Sequence, residues 1–386
     1  MTSSERITVA FVINDLRLGG AQAVVAQIAT RLDRARFEPM LYVLREDDAQ
    51  RQTFAAHLTA AAAPMAYLTP SGGTPILRAI WMLWRTFSQR RPHIVHAHLP
   101  DAVIAAGIVS VLRRIPFVIH EHQSHQMHSW KVRLAYRLLR PFSARTIYYT
   151  GSLEQELFGT VHDAASGAQS CTIENGIDTD ALEAARQHTD CSGLRASFGW
   201  RASDIVVCCV ARITAWKGQH LLLEAFARAA ADMPDLRLLL VGDGDASALQ
   251  SRARELGITE RVALPGGRTD IPDILAASDI FSLVFAYPAG KEAEAIGVAG
   301  LEAMAAGLPA VIGDYPSGLP LVDGREVVKV PPRDVAALSL ALQRLGADHQ
   351  LRHELGERGR AFVVRRLAWN AIMPAYESLY LSIAHV

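Results

Sequence analysis

The chain has 386 residues, half of them hydrophobic, with 39 Lys and Arg balanced by 39 Asp and Glu. That length exceeds what one hydrophobic core normally serves, so two domains are expected. Zero formal net charge argues against a protein that grips nucleic acid by phosphate neutralisation, and the apolar half excludes a disordered chain. The opening MTSSERITVAFVIND lacks the basic segment, apolar run and cleavage site of a secretory signal, and no run of about 18 uncharged apolar residues offers a membrane span. Cys171, Cys191, Cys208 and Cys209 make no disulfide framework, since the last two are neighbours in a strand and point to opposite faces. The expectation is a reduced, cytoplasmic protein.

Residues 7–15 read as a continuous apolar strand of the buried, parallel-sheet type. The strand runs into Leu18-Gly19-Gly20-Ala21-Gln22 and a helix over 23–32. A glycine turn between strand and helix N-terminus can hold an anion, and it can equally be structural alone. Neither a GxGxxG fingerprint nor a P-loop is present. A strand over 38–44, a helix over 48–61 and a short strand over 65–68 follow. The amphipathic helix over 75–89 carries Trp81 and Trp84, three apart and expected to be core or packing material.

A strand over 94–98 ends in IVHAHLPD, and a helix over 102–112 leads to a strand over 117–120 and the segment HEHQSHQMH. Seven of the 14 histidines fall between His93 and His128. His120, Glu121, His122, His125 and His128 can be read as a metal site, but their spacing matches no fixed pattern such as HExxH. For His98 and His122 the favoured role is hydrogen bonding from strand C-terminal ends, where ligands of open α/β sheets bind; packing at the core rim is the other reading. His96 is expected to point away from His98. Residues 129–145 interleave basic and apolar side chains. That pattern suits an anionic bilayer surface, or an ordinary helix covered by its own long basic chains. After a strand over 147–150 and a further helix, residues 171–178 read as an exposed turn centred on Asn175-Gly176, and 179–199 as a polar helical connector.

A strand over 205–210 opens the second half and is followed by ARITAWKG. Arg212 and Lys217 fall just past that strand and just before a helix over 219–230, where two cations and free backbone donors suit a diphosphate. A solvated pair of charges is the alternative. A strand over 236–241 ends at Gly242-Asp243-Gly244, a turn that brings backbone close to a ligand or to another loop. A helix over 246–256, strands over 262–264 and 280–284, and a helix over 271–277 come next. The stretch 292–309, EAEAIGVAGLEAMAAGLP, sets Glu294 and Glu302 eight positions apart. A helix over 298–306 has Gly307 as its C-cap and Pro309 as its stop. Free N–H groups at 295–298 and the two carboxylates can clamp a polyol; an ordinary charged surface helix is less apt, because Glu302 stands in an apolar run. Strands over 310–312 and 326–330 and helices over 334–345 and 351–360 follow. The aromatic helical segment 362–383 is expected to dock on a domain, crossing back to the first. Two doubly wound α/β units with ligand-facing loops predict a cleft suited to a two-substrate transfer enzyme.

Taken together, GGAQ at 19–22, RPHIVHAH at 91–98, IENGID at 173–178, ARITAWKGQ at 211–219, LVGDG at 240–244, LPGGRTDI at 264–271 and EAIGVAGLEAMAAGLP at 294–309 resemble the retaining, nucleotide-sugar-dependent glycosyltransferases of family 4. The resemblance covers essentially the whole chain in order. It implies a GT-B fold: two Rossmann-like domains facing across a cleft, with 1–178 binding acceptor, 179–365 binding the nucleotide sugar, and a helix over 366–386 packing back on the first domain. It implies that Arg212 and Lys217 hold the donor pyrophosphate, Glu302 the ribose hydroxyls and Glu294 the sugar hydroxyls. The backbone of Ala295, Ile296, Gly297 and Val298 would face the phosphate–sugar region. Gly20 and Gly242 would line the donor side, His122 would lie near the reacting sugar, and His98 on the acceptor side. The implied donor is a UDP- or GDP-sugar, and the acceptor a glycolipid, polysaccharide precursor or small glycoside, met in the cytoplasm or at the cytoplasmic membrane face. The expectation is that the chain has no DxD motif and needs no metal. Where the family commonly has Gly-Phe after the first Glu, this chain has Ala295-Ile296, with Glu292 adding a nearby carboxylate. The Glu often found before V-x-D-G is absent from SGLPLVDG.

Overall fold

The computed structural model describes residues 6–17, 20–45, 64–69, 76–122, 129–151, 169–287, 296–315 and 318–384. The chain divides into two compact units, Met1–Gly176 with Asn370–Val386, and Ile177–Trp369.

The first unit is built on seven strands: β1 (Ile7–Ile13), β2 (Phe37–Val43), β3 (Met65–Tyr67), β4 (Ile94–His98), β5 (Phe117–Glu121), β6 (Arg145–Tyr148) and β7 (Ser170–Thr172). They are all parallel, in the order β3-β2-β1-β4-β5-β6-β7. A parallel sheet is covered on both faces, which is why β1 reads as an unbroken apolar run with Val9 through Ile13 fully buried. On one face Ala10, Val12, Val95, Ala97 and Ile119 pack with the buried sides of helices Ile76–Gln89, Pro100–Arg113 and Trp130–Leu139. On the other, Tyr380 of the helix Trp369–Ala384 packs edge-on against Phe11 and Phe37, at ring-centroid distances of 6.4 and 6.0 Å.

The assignment of Trp81 and Trp84 to packing is corrected. Helix Ile76–Gln89 buries Ala79, Leu83 and Phe87, one face at four-residue spacing, and leaves Trp81 55% and Trp84 41% exposed. The guanidiniums of Arg85 and Arg113 lie over their rings, 5.7 and 4.7 Å from the centroids. Residues 171–178 are also not an exposed turn. Ser170–Thr172 is the edge strand β7, and Cys171, Ile173 and Ile177 are buried.

The second unit has six parallel strands: β8 (Ile205–Val210), β9 (Leu236–Val241), β10 (Val262–Gly266), β11 (Ile280–Leu283), β12 (Ala310–Gly313) and β13 (Val328–Val330), in the order β10-β9-β8-β11-β12-β13. The last helical region is divided differently from the expectation. A helix runs His349–Leu367 and stops at Ala368, which is extended and bridges Ile177 before the final helix begins. Among the described residues, no helix is long and apolar enough to cross a membrane.

Candidate active site

Each sheet reverses its strand order once, between β1 and β4 in the first unit and between β8 and β11 in the second. Such reversals leave a crevice outside the strand C-termini, because the flanking connections depart to opposite sides. In the second unit the residues leaving β8 form that rim. Gly218, with φ +74°, turns a short 3-10 segment, Ala215–Lys217, into the helix Gln219–Asp232. A Cβ at Gly218 would lie 1.8 Å from the Val284 carbonyl oxygen, so the loop after β8 is seated directly on the end of β11. Gln219 folds back, donating from Nε2 to the carbonyls of Arg212 (2.9 Å) and Ala211 (3.3 Å). The close approach at Gly242 is to another loop. A Cβ there would stand 1.9 Å from the Ala211 carbonyl oxygen.

Arg212 is exposed, while Lys217 is half-buried. The Lys217 ammonium stands 4.2 Å from the Trp216 ring centroid and 4.6 Å from that of Phe285. Trp216, Phe285 and Tyr287 are mutually stacked, with centroid distances of 5.1–6.0 Å. The Ala286 N–H donates to the Trp216 carbonyl (2.8 Å), and Tyr315 Oη donates to the Phe285 carbonyl (3.0 Å). Aromatic faces attract the ammonium and restrict its rotamers, so the charge is aimed before any ligand arrives.

Ile296 precedes the helix Gly297–Ala305, and Gly297 takes φ +64°. Glu302 lies well inside that helix. Its side chain keeps some solvent contact, but dense apolar surroundings push the carboxyl up to about 7, with Asp178 adding to the push. A carboxyl whose pKa is higher folded than unfolded loses stability as pH climbs from its usual 4.5 to about 7, and the loss is constant above that. Allowing for the residual solvent, the loss is on the order of 2 kcal/mol. Glu302→Gln should therefore match the unaltered chain in Tm below about pH 4 and exceed it at pH 8. Equal Tm values at pH 8 would show that the carboxylate is not strained.

In the first unit, β4, β5 and the residue just after β5 carry four histidines on the sheet face covered by the last helix. His96, His98 and His120 are fully or almost fully buried. His98 Nδ1 lies 2.9 Å from His122 Nε2, and His96 Nδ1 lies 2.7 Å from Tyr380 Oη. Burial holds all four imidazoles neutral, with His96 and His122 depressed to about 3. The β4 exit is strained: Leu99 takes φ +69°, a conformation costly for a branched residue, and Asn14 Oδ1 accepts from the Ala102 N–H (2.8 Å) at the next helix start.

Residues 18–181 match the model described as Glycosyltransferase Family 4, and residues 193–362 the model described as Glycosyl transferases group 1. Two glycosyltransferase models thus match the chain one after the other. A GDP-mannose-dependent alpha-(1-6)-phosphatidylinositol monomannoside mannosyltransferase of Mycolicibacterium smegmatis is 31% identical over 215 residues, 53% of this chain and 55% of that one. The lipopolysaccharide core biosynthesis glycosyltransferase LpsE of Rhizobium meliloti is 32% identical over 191 residues, 49% of this chain and 53% of that one. The chain thus spans about half the length of these relatives. Among solved structures, Anabaena Alr3699/HepE in complex with UDP and glucose is similar at TM-score 0.80 and 23% identity, over 98% of this chain and 100% of that chain. That likeness establishes the GT-B fold, with its two helix-flanked parallel sheets.

Several of the residues that the family resemblance singles out are brought together. Arg212, Lys217 and Gly242 share one loop cluster, His98 meets His122, and Glu302 faces Asp178. A Cβ at Gly20 would meet nothing within 4 Å, so protein packing does not demand a glycine there. Glu294 and Ala295 lie outside the described residues, as do His125 and His128.

Two expectations fail here. His96 does not turn from His98: residues two apart in a strand share a face, and their ring centroids are 4.2 Å apart. The expectation of no metal is also corrected, because His96, His98 and His120 gather nitrogens that all lie within 4.8 Å of one another, a donor set that can hold a metal ion. The chain does spell D-x-D twice, at Asp178-Thr179-Asp180 and Asp243-Gly244-Asp245. Asp178 and Asp245, however, accept from backbone N–H groups of Ala181 (3.3 Å) and Ser247 (2.9 Å), as turn-forming aspartates do. The aromatic seat of Lys217 and the strap from Gln219 had no counterpart in the sequence reading.

Proposed function

We propose that this chain moves a hexosyl group from a UDP- or GDP-sugar to a hydroxyl of a glycan, lipid-linked or small-molecule acceptor, with retention at the anomeric carbon. What supports this most is the cationic pair Arg212 and Lys217 beyond the end of β8, at the strand-order reversal and just before a helix N-terminus. The two cations hold the pyrophosphate and stabilise the charge that grows on it. Glu302 accepts from the ribose hydroxyls and Glu294 from the sugar hydroxyls. The N–H groups of 295–298 face the phosphate–sugar region, Gly20 leaves room for backbone to approach, and Gly242 lets the loop carrying Arg212 pack against the end of β9 on the donor side. His122 stands near the reacting sugar and His98 on the acceptor side. The acceptor oxygen bonds to the anomeric carbon on the face from which the diphosphate leaves. The breaking C–O pair stays with the diphosphate oxygen, which takes the acceptor's proton. Incubation with UDP- and GDP-hexoses and a panel of hydroxyl acceptors tests the reading: nucleoside diphosphate should be released in step with glycoside, and saturable binding without turnover would sink it.

A second observation supports an acceptor at the cytoplasmic face of a membrane. Trp130, Leu134, Leu138 and Phe142 are each at least half exposed, beside Lys131, Arg133 and Arg137. A cavity of about 510 Å³, lined by Arg133, Arg137, Arg140 and Gln169, opens beside them. Basic groups around an apolar ridge suit anionic headgroups over acyl chains. Sedimentation with phosphatidylglycerol vesicles should fall about tenfold or more in a Leu134→Ser/Leu138→Ser/Phe142→Ser variant. Equal sedimentation of both proteins removes this surface from the reading.

A further inference from the structure

Buried polar groups in folded proteins are almost always partnered, because an orphan loses its bonds to water and gains none. Four ring nitrogens in the first unit break that rule within one small volume. His96 Nε2, His98 Nε2 and both nitrogens of His120 are buried without a hydrogen-bond partner, as is Tyr376 Oη. The three side chains are 0–1% exposed, and their possible ligand nitrogens all lie within 4.8 Å of one another. A protein core does not need this arrangement for packing, since Phe fills the same space without polar atoms.

We propose that His96, His98 and His120 form a buried site for a zinc-class divalent transition-metal ion. The two nitrogens that do have partners fit this role. His96 Nδ1 is bonded to Tyr380 Oη and His98 Nδ1 to His122 Nε2, which leaves Nε2 of each ring to carry the lone pair. A metal-bound histidine characteristically donates its other ring N–H to an outer partner in this way. His120 has both nitrogens to offer, and register pairing sets it beside His98 on the adjacent strand. Three imidazoles and no carboxylate select the zinc end of the divalent series over magnesium or calcium. Bonds of about 2.0–2.1 Å in a tetrahedral site put nitrogens about 3.3 Å apart, so side-chain rotations must draw the three together. Tyr376, whose ring centroid is 6.3 Å from that of His96 and 6.1 Å from that of His120, or a water takes the fourth position. With the ligands sealed beneath the last helix, the ion enters as that helix docks.

The test uses the full chain, unfolded in denaturant with a chelator and refolded with Zn²⁺ or Co²⁺ alone. The unaltered chain should retain one metal equivalent after desalting, and its Co²⁺ form should show the intense visible bands of a four-coordinate nitrogen site. His120→Phe preserves the stacked ring while removing two orphan nitrogens. It should fold without metal, retain none and show no such bands. Tyr380→Phe removes only the outer hydroxyl and should bind about 10–100-fold more weakly. Metal retention by His120→Phe equal to that of the unaltered chain, or no retention by the unaltered chain, overturns the site. So does undiminished affinity in Tyr380→Phe, which covers the case in which His120→Phe does not fold.

Discussion

Lys217→Ala should lower kcat/KM for glycosyl transfer by about a thousandfold, close to 4 kcal/mol of transition-state stabilisation, while leaving the fold intact. A fixed ammonium that faces a departing diphosphate matters more in the transition state than in the bound donor, because that is when the charge on the bridging oxygen grows. The fall should therefore appear mainly in kcat. Stability should change little, since the ammonium's contacts with Trp216 and Phe285 are worth about 1 kcal/mol at a half-buried site. Lys217→Met separates charge from packing: its apolar stem still covers both rings, so its Tm should match the unaltered chain while its rate matches Lys217→Ala. A Lys217→Met rate close to that of the unaltered chain would falsify the electrostatic role.

Gly218→Ala should strongly destabilise the second unit. The left-handed conformation alone costs an alanine about 1–2 kcal/mol. The added carbon would then lie 1.8 Å from a backbone oxygen, that of Val284, which cannot rotate away. Separating the two segments would also break the Ala286 N–H to Trp216 carbonyl bond and unstack Trp216 from Phe285. A total of about 3 kcal/mol or more follows, read as a drop in urea midpoint, with loss of donor binding even where the variant folds. By contrast, Gly257→Ala, also at positive φ but with nothing within 4 Å of its Cβ, should pay only the backbone term. If the two variants unfold at the same midpoint, the seating of the β8 loop on β11 contributes nothing.

The strands were legible because each central one is buried on both faces. No other element writes so continuous an apolar run as 7–13 or 205–210. The doubly wound class came from alternation of strand and helix and from family likeness together, whereas the strand order, and hence the reversal beside Arg212, is written only in the pairing of the sheets. The indoles of helix Ile76–Gln89 were misread because hydrophobic patterning rewards large rings wherever they stand, and here arginines shield them from the wet side. Lys217 was readable as a charge at a strand end. Its aromatic seat was not, because Trp216 and Phe285 are brought together only by the pairing of β8 with β11. The histidine cluster was hidden differently. Metal motifs are written for ligands on one helix or loop, whereas His96 and His98 share a strand with a gap of two and His120 comes from the neighbouring strand.

The last helix belongs to the first unit, and that has a consequence for synthesis on the ribosome. The patch of β1, β2 and β4 bearing Phe11, Phe37 and His96 packs on Tyr376 and Tyr380, so that patch stays uncovered until the helix Trp369–Ala384 has emerged. The second unit is contiguous in sequence and can close first, reversing the usual N-terminal-first order. During that interval the nascent chain presents an apolar sheet face to chaperones. A stop codon before residue 370 would leave the N-terminal sheet exposed to aggregation while sparing the unit translated after it.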